Sequence, residues 1–173
     1  MTFALTRRGV IGIGCLLAAG VRAGAAAEQQ EIVMRGTQDG GEVWFAPSGL
    51  HIAPGTLVRW INRHPGNSHT TTAYHPANDG HPLRMPQGAA PWNSDYLLPN
   101  EHFDVQFTVE GVYDYFCQPH EMAGMAGRIV VGTPPREGFW SAPAPDLPPP
   151  VLASLPSVEQ IMQQGRVERP APG

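Results

Sequence analysis

The 173-residue chain has no lysine at all: its 11 basic residues are all arginine, against 15 acidic ones, for a formal net charge of −4. Contact with a phosphate backbone needs a basic face, so a nucleic-acid partner is not expected. Cysteine is nearly absent. Cys15 and Cys117 are the only two, too few for a disulfide-stapled scaffold. No apolar run approaches the roughly 20 residues that an integral membrane span requires. Charged residues make up only 15% of the chain, yet hydrophobic residues reach 42%, enough for an ordinary core. The plentiful residues are Gly (20) and Pro (19), which favour a turn-rich, all-β fold over a helix bundle.

The N-terminal residues read as an address. Thr6-Arg7-Arg8-Gly9-Val10-Ile11 puts paired arginines before an apolar stretch from Val10 to Val21, followed by small residues. Ala25-Ala26-Ala27 offers an A-x-A site, with cleavage predicted before Glu28. The pattern resembles a twin-arginine export signal, which implies a periplasmic protein. An ordinary secretory signal and a lipid-bearing Cys15 are the competing readings. Cleavage would leave 8 arginines against 15 acids, a net charge of about −7.

Three segments follow: residues 1–27 as the export signal, 28–132 as a β domain, and 133–173 as a Pro-rich tail. Short strands are expected at Glu31–Arg35, Glu42–Ala46, Leu50–Ala53, Thr56–Asn62, His69–Tyr74, Phe103–Val109, Val112–Cys117 and Gly127–Val131. Asp39-Gly40-Gly41 separates the first two as a turn. In Thr56–Asn62 the Val58/Trp60 face is the one expected to be buried, because Arg59 lies on the other. Seven to eight such strands predict an antiparallel Greek-key β-sandwich. A long Pro- and Gly-rich connection from His75 to Asn100 is either functional or an insertion. Ten of the 19 prolines lie beyond Gly132. This tail carries one possible short helix, with Ser157 and Gln160 at capping-box spacing and Gly165 as its stop.

The segment Cys117-Gln118-Pro119-His120-Glu121-Met122-Ala123-Gly124-Met125 carries the chemistry. A thiolate, an imidazole three residues on and a thioether eight residues on share one strand–loop–strand junction. Thiolate and thioether together with imidazole select copper, and two histidines, a cysteine and a weak axial methionine form the blue-copper set. A second histidine must come from elsewhere. His69 is the candidate, with His64 and His75 as rivals. Met122 competes with Met125 but lies only two residues past His120 and reads better as an apolar rim residue. Cys117 also has a plain reading, as a buried free thiol.

Residues 113–131 resemble the copper loop of the cupredoxins, in particular the plastocyanin and pseudoazurin branch, and the resemblance extends over about 28–132. It implies a cupredoxin fold holding one type 1 copper ion, with His69, Cys117, His120 and Met125 as ligands. Many cupredoxins carry Asn after the upstream histidine, where it ties the ligand loops together and donates to the sulfur. This chain has Thr70 there, and a different reduction potential is expected of it.

The function implied is single-electron transfer rather than catalysis. Electrons would pass through the edge of His120, within a rim of Pro119, Met122 and Ala123. The expected partner is a redox protein with a basic face, such as a cytochrome or a copper reductase or oxidase, and the expected state is a monomer. The alternative is periplasmic copper binding and delivery, against which stands the lack of a dense Met or His tract. A multi-copper enzyme is disfavoured, because no His-x-His pair occurs in the chain.

Overall fold

The computed structural model describes residues 28–169. The export signal expected over 1–27, Cys15 included, lies outside the described residues, as do residues 170–173.

Among the described residues nine strands form two sheets. The first has the order β2 (Val43–Ala46), β1 (Gln29–Gly36), β4 (Thr56–Asn62), β6 (His102–Phe107). The second runs β5 (Thr72–Ala73), β7 (Gly111–Phe116), β8 (Ala126–Val131), β3 (Gly49–Ile52), β9 (Arg166–Val167). The sheets form the β-sandwich that the sequence implied, but it is not purely antiparallel. β1 runs parallel to β4, and β3 parallel to β8. Between β2 and β4 the chain crosses to the second sheet for β3 and back again. It thereby returns beside β1 in the same direction rather than as a hairpin.

Alternation places the core. Ile32 and Met34 of β1 and Val58 and Trp60 of β4 are fully buried. Arg59, on the opposite face of β4, pairs with Asp104 directly across on β6 through two bonds of 2.7 and 2.8 Å. Strand β7 departs from alternation, because all six of its residues are buried. Tyr113 and Tyr115 face the sandwich interior, where Tyr115 meets Trp60 edge-on at 5.3 Å between ring centroids. Val112, Asp114 and Phe116 lie on the other face of β7, which is covered as well.

Two segments provide that cover. The 75–100 connection covers it with Arg84, bonded to Asp114 at 2.9 Å, and with His81, 4.4 Å from Phe116 between ring centroids, while its Met85, Trp92 and Leu97 pack into the interior. The residues beyond Gly132 fold back over the second sheet. They contain two short helices, α1 (Pro149–Ser154) and α2 (Val158–Gln164), where the sequence suggested one. Leu147 and Val151 pack on Phe116 and Ala126. Val158, Ile161 and Val167 pack on Val112 and Val130. The Ser157 hydroxyl caps α2 by accepting from the Gln160 amide at 3.1 Å. Gly49 of β3 permits close contact with α2, since a Cβ there would meet Ile161 and Pro156 at 2.7 Å. No helix among the described residues is long and apolar enough to cross a membrane.

Candidate metal centre

Three donors converge at one end of the sandwich. Cys117 follows directly on β7, and the chain then winds through 3₁₀ turns over Gln118–Ala123 that are kinked at His120. Three backbone bonds close this loop on itself: His120 N to Cys117 O (3.0 Å), Met125 N to His120 O (3.1 Å) and Cys117 N to Met125 O (2.9 Å). Gly124 makes the tight return possible, in the left-handed region at φ 77°.

His69 arrives from the opposite sheet's connection. The expected strand His69–Tyr74 is reduced to β5, because His69 pairs with the 75–100 segment instead. It forms an isolated bridge to Leu97, with amide–carbonyl bonds of 3.2 and 2.8 Å.

Cys117 Sγ lies 3.4 Å from His120 Nδ1 and 3.6 Å from His69 Nδ1, and the two nitrogens are 3.2 Å apart. A triangle with these edges has its centre about 2.0 Å from every vertex, the usual reach of a metal–imidazole bond. Among the described residues these three form the group able to hold a metal ion. Met125 is fully buried in the same core cluster as Cys117.

Burial sets the protonation of this triangle. His69, fully buried, has its pKa pushed down to about 3 by desolvation and then by the neighbouring His120 and His64. His120, half-buried, is lowered for the same first reason. Both imidazoles therefore present free lone pairs at neutral pH. Desolvation pushes the Cys117 thiol up to about 11, offset in part by hydrogen bonds that reach it. A soft sulfur and two neutral imidazoles, each facing the same point, match the donor set that copper prefers.

Thr70 takes over the work expected of Asn at its position, divided between two groups. Its amide donates to Cys117 Sγ at 3.3 Å. Its hydroxyl accepts from the Gln118 amide at 2.9 Å and so ties the two ligand-bearing loops together.

The remaining histidines separate cleanly. His75 is turned to its own loop, accepting from the Ala77 amide. His81 meets Glu121 at 3.3 Å, and His51 bonds the Gly132 carbonyl. His64 is the surprise: it lies behind the triangle, with its Nδ1 2.9 Å from His69 Nε2. Four residues separate the two, and the spacing alone gave no sign of this contact. Pro119, Met122 and Ala123 are exposed beside His120, and Met122 is 72% exposed.

Residues 32–132 match the family model for copper binding proteins of the plastocyanin/azurin family. A pseudoazurin of Methylorubrum extorquens is 30% identical over 110 residues, covering 62% of this chain and 65% of its own length. A plastocyanin of Scenedesmus fuscus is 35% identical over 104 residues, covering 54% of this chain and 91% of its own. A solved pseudoazurin structure from Sinorhizobium meliloti superposes with a TM-score of 0.58 at 26% identity, over 80% of this chain and 98% of that one.

Proposed function

Because this chain belongs to the plastocyanin/azurin family of copper-binding proteins, we propose that it is a type 1 copper protein that carries single electrons between redox partners in the periplasm. The observation that carries this reading is the closed donor triangle of His69, Cys117 and His120, braced by backbone bonds of the loops that bear them. A copper ion bound there would supply a one-electron Cu(I)/Cu(II) couple.

The chain's own residues set the terms of exchange. His69 and Cys117 are fully buried and hold their positions from two different loops. Met125, fully buried in the same cluster as Cys117, would add its thioether as a weak fourth donor. His120 is the half-buried member, with exposed Pro119, Met122 and Ala123 near it in the chain, and we assign it the route by which electrons leave. That small apolar rim suits brief docking of a redox protein, and the acidic balance of residues 28–173 favours a partner with a basic face. With three strong donors and a thioether assigned, the site keeps no open position for a substrate, so we assign no enzymatic turnover.

The test is an absorption and spin-resonance spectrum of the copper-loaded protein beside a Cys117→Ser variant. An intense visible thiolate-to-copper band with small hyperfine splitting, lost in the variant, is the expected result. A colourless copper complex in the parent protein would overturn the reading and favour copper delivery instead.

A further inference from the structure

We propose that His64 is a positioning residue for the copper site, fixing the ring and the proton of His69 through an imidazole–imidazole hydrogen bond. The inference rests on the reading of His69 as a ligand.

His69 offers Nδ1 to the donor triangle, so its proton must sit on Nε2. That atom lies 2.9 Å from His64 Nδ1. The two ring planes are inclined by only 19°, with centroids 5.2 Å apart. His64 in turn has its Nε2 3.1 Å from the Thr37 carbonyl oxygen, which can only accept. The proton on His64 is therefore on Nε2, and its Nδ1 is left as an acceptor. One consistent set of tautomers runs through the row: His69 donates to His64, and His64 donates to Thr37.

The surroundings hold His64 for this task. It is buried, at 3% exposure. Its amide donates to the Asn62 side-chain oxygen at 2.9 Å. The Asn62 amide group then donates to the carbonyls of Asn67 and Leu97 at 2.8 and 2.9 Å, so one side chain braces both the turn between the histidines and the strand that pairs with His69. On the other side, Gly36 makes room for the ring, because a Cβ there would fall on the His64 imidazole. A ring this confined cannot turn away from His69.

A metal-bound histidine whose outer N–H is accepted by a basic partner is a stronger donor and has a fixed ring plane. An imidazole nitrogen is such a partner. His64 thus favours the more highly charged copper state and lowers the potential relative to a site without it.

The test compares the copper-loaded parent with His64→Leu, which keeps bulk and removes the acceptor, and His64→Gln, which restores one. Copper affinity is read by competition with a chelator, and the midpoint potential by redox titration. His64→Leu is expected to bind copper about 10–100-fold more weakly and to show a raised potential, with His64→Gln returning toward the parent in both. In the parent Cu(I) protein labelled with nitrogen-15, a scalar coupling across the hydrogen bond between His69 Nε2 and His64 Nδ1 is expected, and this holds even where the Leu variant fails to fold. A parent that shows the thiolate–copper band while His64→Leu keeps both affinity and potential would overturn the inference alone. So would absence of the coupling. A parent without the band would overturn the ligand assignment and this inference with it.

Discussion

At the scale of single residues, Thr70 joins the two loops that carry the donors. Thr70→Ala would leave its amide on Cys117 Sγ and orphan the Gln118 amide, a loss of about 0.5–1.5 kcal/mol measurable by urea unfolding. Thr70→Asn is expected to shift the copper potential, since a different side chain would then meet the same loop; an unchanged midpoint in a redox titration would refute this. The pKa values at the site predict a pH response of the copper-free protein. His69 titrates near 6.5 when unfolded and near 3 when folded. Between those limits the unfolded chain binds the extra proton, so stability is full above about 6.5 and falls as the pH drops toward 3. The slope from this one residue reaches at most about 1.4 kcal/mol per pH unit. Chemical denaturation at a series of pH values checks it, and copper-free protein with flat stability from pH 7 to 4 would contradict it.

The meeting of Cys117 and His120 was legible in the sequence because the loop that unites them is local. His69 was legible by order and context. His64 was not, because its meeting with His69 depends on how a Pro-Gly turn closes over Gly36, and no periodicity encodes that.

At the scale of elements, the copper loop and α1 are one packed unit. Gly124 closes the loop in the left-handed region, and a Cβ there would come within 2.8 Å of the Pro150 carbonyl oxygen of α1. Gly124→Ala is therefore expected to cost about 1 kcal/mol or more through both strain and contact. A thermal melt of the copper-free protein reads that cost without interference from metal binding. The 75–100 connection behaves in the same way. Its Trp92 packs 5.7 Å from Trp60 and donates to the Thr71 hydroxyl at 3.1 Å. Composition alone, rich in Pro, Gly and Asn, read this segment as a loop and was right about its backbone. It missed that Met85, Trp92 and Leu97 anchor that backbone in the core. The parallel strand pairs were hidden for a related reason. Alternation in β1 and β3 fixes which side chains point inward but says nothing about the direction of the neighbouring strand.

At the scale of the whole molecule, Asp114 joins three parts of the chain. It is fully buried on β7 and bonded by Arg84 of the 75–100 connection at 2.9 Å and by Arg128 of β8 at 2.7 and 3.0 Å. Arg128 also reaches the Pro156 carbonyl between the two helices at 3.0 Å. Removing the carboxylate would leave two buried guanidinium groups facing each other. Asp114→Ala is expected to destabilise the protein by about 3–5 kcal/mol, well beyond what its small side chain would contribute by packing. Urea unfolding of copper-free parent and variant gives that difference directly. Ile161→Ala, by contrast, removes only apolar contact from α2 and should cost about 2–5 kcal/mol with no change in the copper spectrum.

The last strand has a consequence for how the protein is made. β9 pairs with β3 through Gly49–Val167 and Leu50–Arg166, more than a hundred residues downstream of its partner. A ribosome that has released everything through β8 has therefore delivered all the donor residues but has left the edge of β3 bare, along with the apolar faces of Val112 and Val130. During that interval the nascent chain carries an open sheet margin of the kind that recruits other strands. Translation must run to Val167 before the margin is sealed, so a stall within residues 133–165 would yield a product prone to cross-molecular pairing rather than a smaller working protein.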